Sequence, residues 1–247
     1  MATGMETIDG VWYMKGCRKD DPSRLRSPED LERLVREIGF LPLFSNAVPG
    51  FSVEERTPAG SWWTDDPSTD PWSWRQALAP RDGIAYGKFF DRRAGFVSKE
   101  WFPVFANYRR DGYDYEGLYE DGKMKSRNRR IMDAFELDEE ARGKEYLTCD
   151  LKKKAAVEKG FEGAVTELQM QTFLIVNGFR QRTNRRGEGY GWHVGVLLTP
   201  ETKWGYGFVN QPSGTPAACR DRIFGRIRSF FPEAGDRDLQ KILGIRY

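Results

Sequence analysis

An α+β fold is the class this sequence predicts, and three observations predict it. Helical spacing and strand alternation both occur along the 247-residue chain. In the second half, three helical segments precede two β-rich runs joined by a polar tip, the order of a winged helix-turn-helix. In the first half, a well-signalled helix and a strand pair suggest a second module of similar size. The expected architecture is therefore a tandem of winged helix-turn-helix modules with β-hairpin wings.

Residues 1–26 are polar and irregular, and "CRKDDPSRLR" reads as an N-terminal arm. The first α+β module is expected over 27–110. It opens with "SPEDLERLVREIGF", where Ser27 is the N-cap, Pro28 fits the first turn and Glu29 and Asp30 complement the helix dipole. Leu31, Leu34, Val35 and Ile38 form one apolar face, and Gly39 ends the helix. The Pro-, Asp- and Trp-rich stretch 41–82 reads as ordered loop with one helical turn at Trp72–Leu78, its tryptophans pinning it to a core. "GIAYGKFFDRRAGFVS" gives two strands about a turn at Asp91–Ala94, and "KEWFPVFANYRR" a short helix. Residues 111–125 are polar and tyrosine-rich and are expected to be a linker.

The second module is expected over 126–212. Its helices are "RNRRIMDAFELDEE", "TCDLKKKAAV" with Thr148 as a cap, and "FEGAVTELQMQTF". The strands run over Thr172–Arg180 and Tyr190–Leu198, with Tyr190, Trp192, Val194, Val196 and Leu198 sharing one face by alternation. Two C-terminal helices, divided by Pro232, are expected over 213–247.

Composition narrows the function classes. The chain is 39% hydrophobic and 14% aromatic, enough to offset the entropy of ordering it, and its formal net charge is only +2. A basic site must therefore be local. Three separated cysteines and one histidine, His193, supply no zinc-ligand spacing, and no metal or cofactor is expected. No signal pattern and no apolar run of bilayer length is present, so a cytoplasmic protein without membrane contact is expected. His193 has no Ser or Cys partner at a triad spacing, the pair Asp114 and Glu116 lies in a polar loop, and the glycines of "YGWHVG" match no phosphate loop.

The strings "REIGFLPLFSNAVPGFSVEE", "DPWSWR", "AYGKFF", "AGFVSKEWFPVFANYRRDGYDYE" and "TELQMQTF…YGW…TPE" resemble the AlkZ-related proteins of bacteria over most of the chain, from Ser27 onward. Those proteins are relatives of the AlkZ/YcaQ winged-helix DNA glycosylases. The resemblance implies a DNA-binding fold, duplex DNA as partner and excision of alkylated bases in DNA repair. It also implies catalytic roles for Gln169 and Gln171, because the glycosylase signature is Gln, an apolar residue, then Gln or Asp.

The residues themselves leave alternatives open. Arg180, Arg182, Arg185 and Arg186 at a wing tip suit phosphate oxygens, with Lys152, Lys153 and Lys154 adding charge from the second helix. A solvated turn explains the same run. Arg109 and Arg110 begin a segment where basic residues alternate with Tyr108, Tyr113, Tyr115 and Tyr119, a pattern for stacking bases and holding phosphates. Interspersed acids make internal ion pairs the competing explanation. On a regular helix Gln169 and Gln171 diverge by about 200° and border the stripe Phe161, Ala164, Val165 and Leu168; only a distorted backbone aims both into one cleft. A DNA-binding module, an active monofunctional glycosylase and a non-enzymatic interaction module all fit these features.

Overall fold

The computed structural model of the chain describes residues 5–8, 11–136, 144–184 and 186–244, the backbone alone at 5–8 and 11–13. Strands β1 (Met5–Ile8) and β2 (Val11–Met14) pair antiparallel, so the expected irregular arm contains a hairpin. The signal was present in the sequence: Asp9-Gly10 separates two β-forming runs, a dipeptide that favours two-residue hairpin turns.

Helix α1 (Pro28–Ile38) forms as its caps dictate. The Ser27 hydroxyl accepts the Asp30 N–H, and Gly39, at φ 98°, donates its N–H to the Val35 carbonyl. The left-handed region is open to glycine at little cost, which is why the helix stops there. β3 (Phe40–Pro42) follows, then α2 (Pro71–Leu78), capped by Asp70, and the hairpin of β4 (Ile84–Phe90) and β5 (Arg93–Ser98). Trp62 and Trp74 anchor the loop before β4: both are buried, with ring N–H groups donating to Thr57 Oγ1 at 2.9 Å and the Ser68 carbonyl at 2.8 Å. α3 (Phe102–Arg109) closes the first half.

Beyond α4 (Tyr115–Glu120) the chain forms α5 (Ser126–Glu136), β6 (Tyr146–Leu147), α6 (Thr148–Lys154), α7 (Phe161–Met170), β7 (Ile175–Thr183) and β8 (Gly189–Leu198). The end of the helix expected over "RNRRIMDAFELDEE" lies outside the described residues. Thr148 does not cap α6; it is the first helical residue, and its hydroxyl donates to the Gly195 carbonyl.

Both halves follow one order. A helix leads to a short strand, then helical structure, then a hairpin, and the short strand returns to pair with the hairpin's second strand: β3 with β5, β6 with β8. The hairpins meet at Tyr86↔Val176, giving one six-stranded antiparallel sheet ordered β3-β5-β4-β7-β8-β6. That order reads alike from either edge. Each half also lays a helix on the other: α2 packs on β7, and α7 packs on β4.

The segment 111–125, expected as an exposed linker, contains α4, and its Tyr115 and Leu118 are buried. Edge contact of the Tyr115 ring with Phe173 ties it to the second half. After α8 (Pro200–Trp204) and α9 (Tyr206–Val209), the helices α10 (Pro216–Arg228) and α11 (Asp236–Leu243) return to the first half. Asn107 donates to the Gly214 carbonyl, Arg226 to the carbonyls of Glu37 and Ile38, and the Asp91 N–H to the Ile242 carbonyl. One hydrophobic core therefore runs from Leu25 to Leu243. Among the described residues no helix is long and apolar enough to cross a membrane.

Candidate functional site

Where the halves interlock, α2, the β4–β5 hairpin, α7 and β7 enclose an open cavity of about 500 Å³. That volume lies within the range typical of small-molecule sites. Its construction begins with an irregularity in β4. The β4–β5 register shifts between Gly87 and Phe90, releasing the Lys88 N–H from the ladder. Gln169 Oε1 accepts that N–H at 2.9 Å. A Cβ on Gly87 would come within 3.3 Å of the same oxygen and 2.8 Å of the Phe89 ring, so this close approach requires glycine.

The bond also fixes the orientation of the amide. Only the carbonyl oxygen can accept an N–H, so the Gln169 Nε2 is left as the donor of a side chain that lines the cavity. Thr166 and Glu162 lie below it on α7, with Val165 beside them, and all four side chains line the cavity. Their spacing, i, i+3, i+4 and i+7, is one helix face. It is a second face of α7, adjacent to the stripe that enters the core. The Thr166 hydroxyl lies 3.3 Å from Lys88 Nζ and donates to the Glu162 carbonyl.

Aromatic rings and cations make the remaining walls. Phe44, Trp72, Tyr86 and Phe179 supply the rings, and Arg75, Lys88, Arg92 and Arg93 the charge, against Glu162 as the single acid among the described residues. Arg75 is 7% exposed, and its guanidinium carbon lies 3.7 Å from the Trp72 ring centroid and 4.2 Å from that of Phe179. Its Nε makes no hydrogen bond, and no carboxylate lies within ion-pair distance among the described residues. Burial pulls its proton affinity below the usual arginine range, while nearby Tyr86 and Asp70 act in the opposite direction. Burial pushes the Tyr86 phenol up, with Arg75 opposing. Arg93 donates to the Ser45 carbonyl, and Arg92 occupies the left-handed turn at φ 65°, its side chain exposed.

The two glutamines do not converge. α7 ends at Met170, and Gln171, the C-cap at φ −81° and ψ 0°, does not line the cavity. Its side chain is buried and its Oε1 has no hydrogen-bond partner among the described residues. Of the pair implied by the signature, Gln169 alone lines this cavity.

The arginines divide as sharply. Arg109 is fully buried, donating to the carbonyls of Leu243 and Phe89, and Arg110 is 3% exposed. Arg110 holds Glu201 at 2.7 Å, Asn210 at 2.9 Å and the Thr172 carbonyl at 2.8 Å, with its guanidinium over the Phe173 ring. Both guanidinium groups are buried and held by the protein's own acceptors, the internal pairing that competed with a phosphate-holding role for them. Internal pairing also accounts for the basic residues that follow. Lys125 and Arg127 converge on Glu167, and Arg129 pairs with Asp133 while stacking on Tyr119.

On the β7–β8 hairpin, Arg180 pairs with Glu145, whereas the exposed Arg182 and Arg186 make no ion pair among the described residues. Arg185 lies outside the described residues. Lys152, Lys153 and Lys154 are exposed on α6, with Lys152 and Lys154 near the rings of Phe161 and Tyr146. The alternation expected along β8 does not appear as burial: its outer half is exposed on both faces, and its inner end, residues 196–198, is buried throughout. Val196 and Leu198 enter the core, while Tyr190 is 50% and Trp192 93% exposed because the hairpin projects past the sheet. His193 is also exposed.

Sequence reasoning missed Glu162, Thr166, Arg75, Lys88, Arg92 and Arg93. The polar stripe 162, 166, 169 was a usable signal; the convergence of "DPWSWR" and "KFFDRR" on it was not, since the partners are distant in sequence.

A family model described as AlkZ related matches residues 25–244. Among solved structures, the Streptomyces sahachiroi DNA glycosylase AlkZ is similar at 12% identity with a TM-score of 0.44, covering 90% of this chain. This chain spans 60% of that protein. A search of curated proteins finds no match.

Proposed function

The chain belongs to the AlkZ-related family, and on that premise we propose that it is a DNA-binding protein that holds one unstacked nucleotide in the cavity between α7 and the sheet. Each half then acts as a winged helix, with β4–β5 and β7–β8 as the wings. The observation that carries this reading is the cavity itself: aromatic walls, a cationic rim and the Gln169 amide on the lining, held through its oxygen by the Lys88 N–H. Aromatic faces stack bases with little regard to sequence, cations hold the flanking phosphates, and an amide reads a base edge. Arg182, Arg186 and the exposed Trp192 supply a contact surface for the duplex on the projecting wing.

Fluorescence anisotropy with two labelled duplexes tests this, one fully paired and one carrying a single unpaired base. The unpaired duplex should bind at least tenfold more tightly, since less stacking is lost on extrusion. Trp72→Ala or Lys88→Ala should erase that preference. Equal affinity for both duplexes would remove the cavity from the reading, and absence of binding would remove DNA.

A second reading, base excision, is favoured by one observation: α7 presents Glu162 and Gln169 on the same face of the cavity. Hydrolysis breaks the bond between C1′ and the base nitrogen, joins a water oxygen to C1′, and passes that water's proton to the Glu162 carboxylate. The departing base takes a proton from solvent. The Gln169 donor would position the water or the base. In an excision assay on alkylated duplex, Glu162→Gln and Gln169→Ala should each lower the rate by roughly 10²–10³, with Gln171→Ala near wild type. Excision unaffected by the first two variants would place the chemistry elsewhere.

A further inference from the structure

The charge of the cavity restricts which nucleotide can enter it. An aromatic box without its own cation attracts positively charged ligands, because the ring faces carry negative potential. Here two of the four rings already hold a cation: the Arg75 guanidinium lies over the rings of Trp72 and Phe179, so a cationic base entering the open space beside Phe44 and Tyr86 would meet a charge of its own sign. Buried charge is ordinarily matched by a carboxylate. Arg75 has none within ion-pair distance among the described residues, and its Nε is left without an acceptor. Lys88, Arg92 and Arg93 add the same sign at the rim, while Glu162 is the only acid on the lining among the described residues.

We propose that the cavity selects a nucleotide with an uncharged base and an anionic phosphate, and rejects a base that carries positive charge. Arg75 is then a specificity-determining residue: it leaves Phe44, Tyr86 and the rim for a neutral base and supplies attraction for the phosphate. The proposal rests on the nucleotide reading of this cavity. Ring alkylation at a purine nitrogen fixes a positive charge on the base, whereas adducts at exocyclic atoms leave it neutral. The substrates or ligands favoured are thus of the second class.

Free mononucleotides test the selection without requiring duplex binding. Quenching of tryptophan fluorescence is followed with N7-methylguanosine 5′-monophosphate at mildly acid pH, where its base is cationic, and with its 7-deaza-7-methyl counterpart, which has the same shape and no charge. The neutral nucleotide should bind at least tenfold more tightly, and the nucleoside lacking phosphate should bind more weakly than the nucleotide. Arg75→Met should bring the two nucleotides within threefold or invert their order. Should that variant fail to fold, the double substitution Lys88→Met with Arg92→Met at the rim should narrow the difference in the same direction. Equal or tighter binding of the cationic nucleotide by the wild type overturns the proposal. Binding of neither nucleotide also overturns it, and in that case the duplex measurement above still decides separately whether the chain binds DNA.

Discussion

Arg109 and Arg110 on α3 and Arg182 and Arg186 on the projecting hairpin look alike in the sequence, each pair set among polar and aromatic residues. Their surroundings assign them opposite work. The α3 pair is buried and bound to backbone carbonyls, Glu201, Asn210 and Thr172, knitting the two halves to the C-terminal helices. The hairpin pair stands in water without an ion-pair partner among the described residues. A guanidinium carries five donors and a permanent charge in either place. Whether those donors are satisfied inside the protein decides if the residue is cement or contact surface, and density of arginine in a sequence says nothing about that.

The comparison breaks most visibly at Arg110. Arg110→Met leaves Glu201 and the Thr172 carbonyl without their partner, and loss of one side of a buried pair costs about 3–5 kcal/mol. The urea midpoint should fall accordingly, and Arg110→Lys should restore little, because an ammonium cannot span acceptors placed for a fork. A midpoint within experimental error of the wild type would mean that this buried network contributes no stability.

Lys203 extends the comparison to a cation held by carbonyls. Its ammonium donates to the carbonyls of Ala79 and Ile84 at 2.9 and 3.0 Å, and burial lowers its pKa to about 8. The folded value lies below the ordinary lysine value, so between the two the unfolded chain binds more protons than the folded one. Stability from this residue should therefore rise as pH rises from about 8 toward the ordinary lysine value, and fall away as pH drops through the folded pKa. Denaturation measured across that window should give a steeper rise for wild type than for Lys203→Met. Parallel curves would show that Lys203 does not carry the linkage.

The smallest change in stability is expected on the hairpin. Arg182→Ala with Arg186→Ala should alter folding free energy by no more than about 0.5 kcal/mol, as for exposed sites without partners. DNA binding should respond instead, the slope of log K against log salt flattening by about two, at about 0.9 for each phosphate released. An unchanged slope would take the wing out of the proposed interface and leave the two arginine pairs differing only in burial.

Legibility followed the range of the interactions. α1 was readable to the residue because each of its caps acts within four positions, Ser27 on the Asp30 N–H and Gly39 on the Val35 carbonyl. Both large hairpins were readable as β-rich runs flanking polar turns. The first hairpin and α4 were readable in principle, from Asp9-Gly10 and from the capping Asp114, and were missed as polar surroundings. The candidate site was readable only as a fragment. Gln169 stood out by spelling, but its partner, the Lys88 N–H, is 81 positions away and is free only because β4 bulges.

By itself the sequence determined most of the larger elements: which long segments are helices, where α1 is capped, and which runs are strands. Those are settled by torsional preference and by hydrogen bonds between near neighbours, so the information is local. Tertiary structure alone decided that β4 meets β7, that α7 lies on β4 and α2 on β7, and hence that Arg75, Lys88 and Gln169 share one cavity while Arg109 and Arg110 share none of it. The physical reason is burial. Whether a charge or an amide is satisfied by protein or left facing a cavity depends on groups brought together by packing, and no spacing along the chain encodes that.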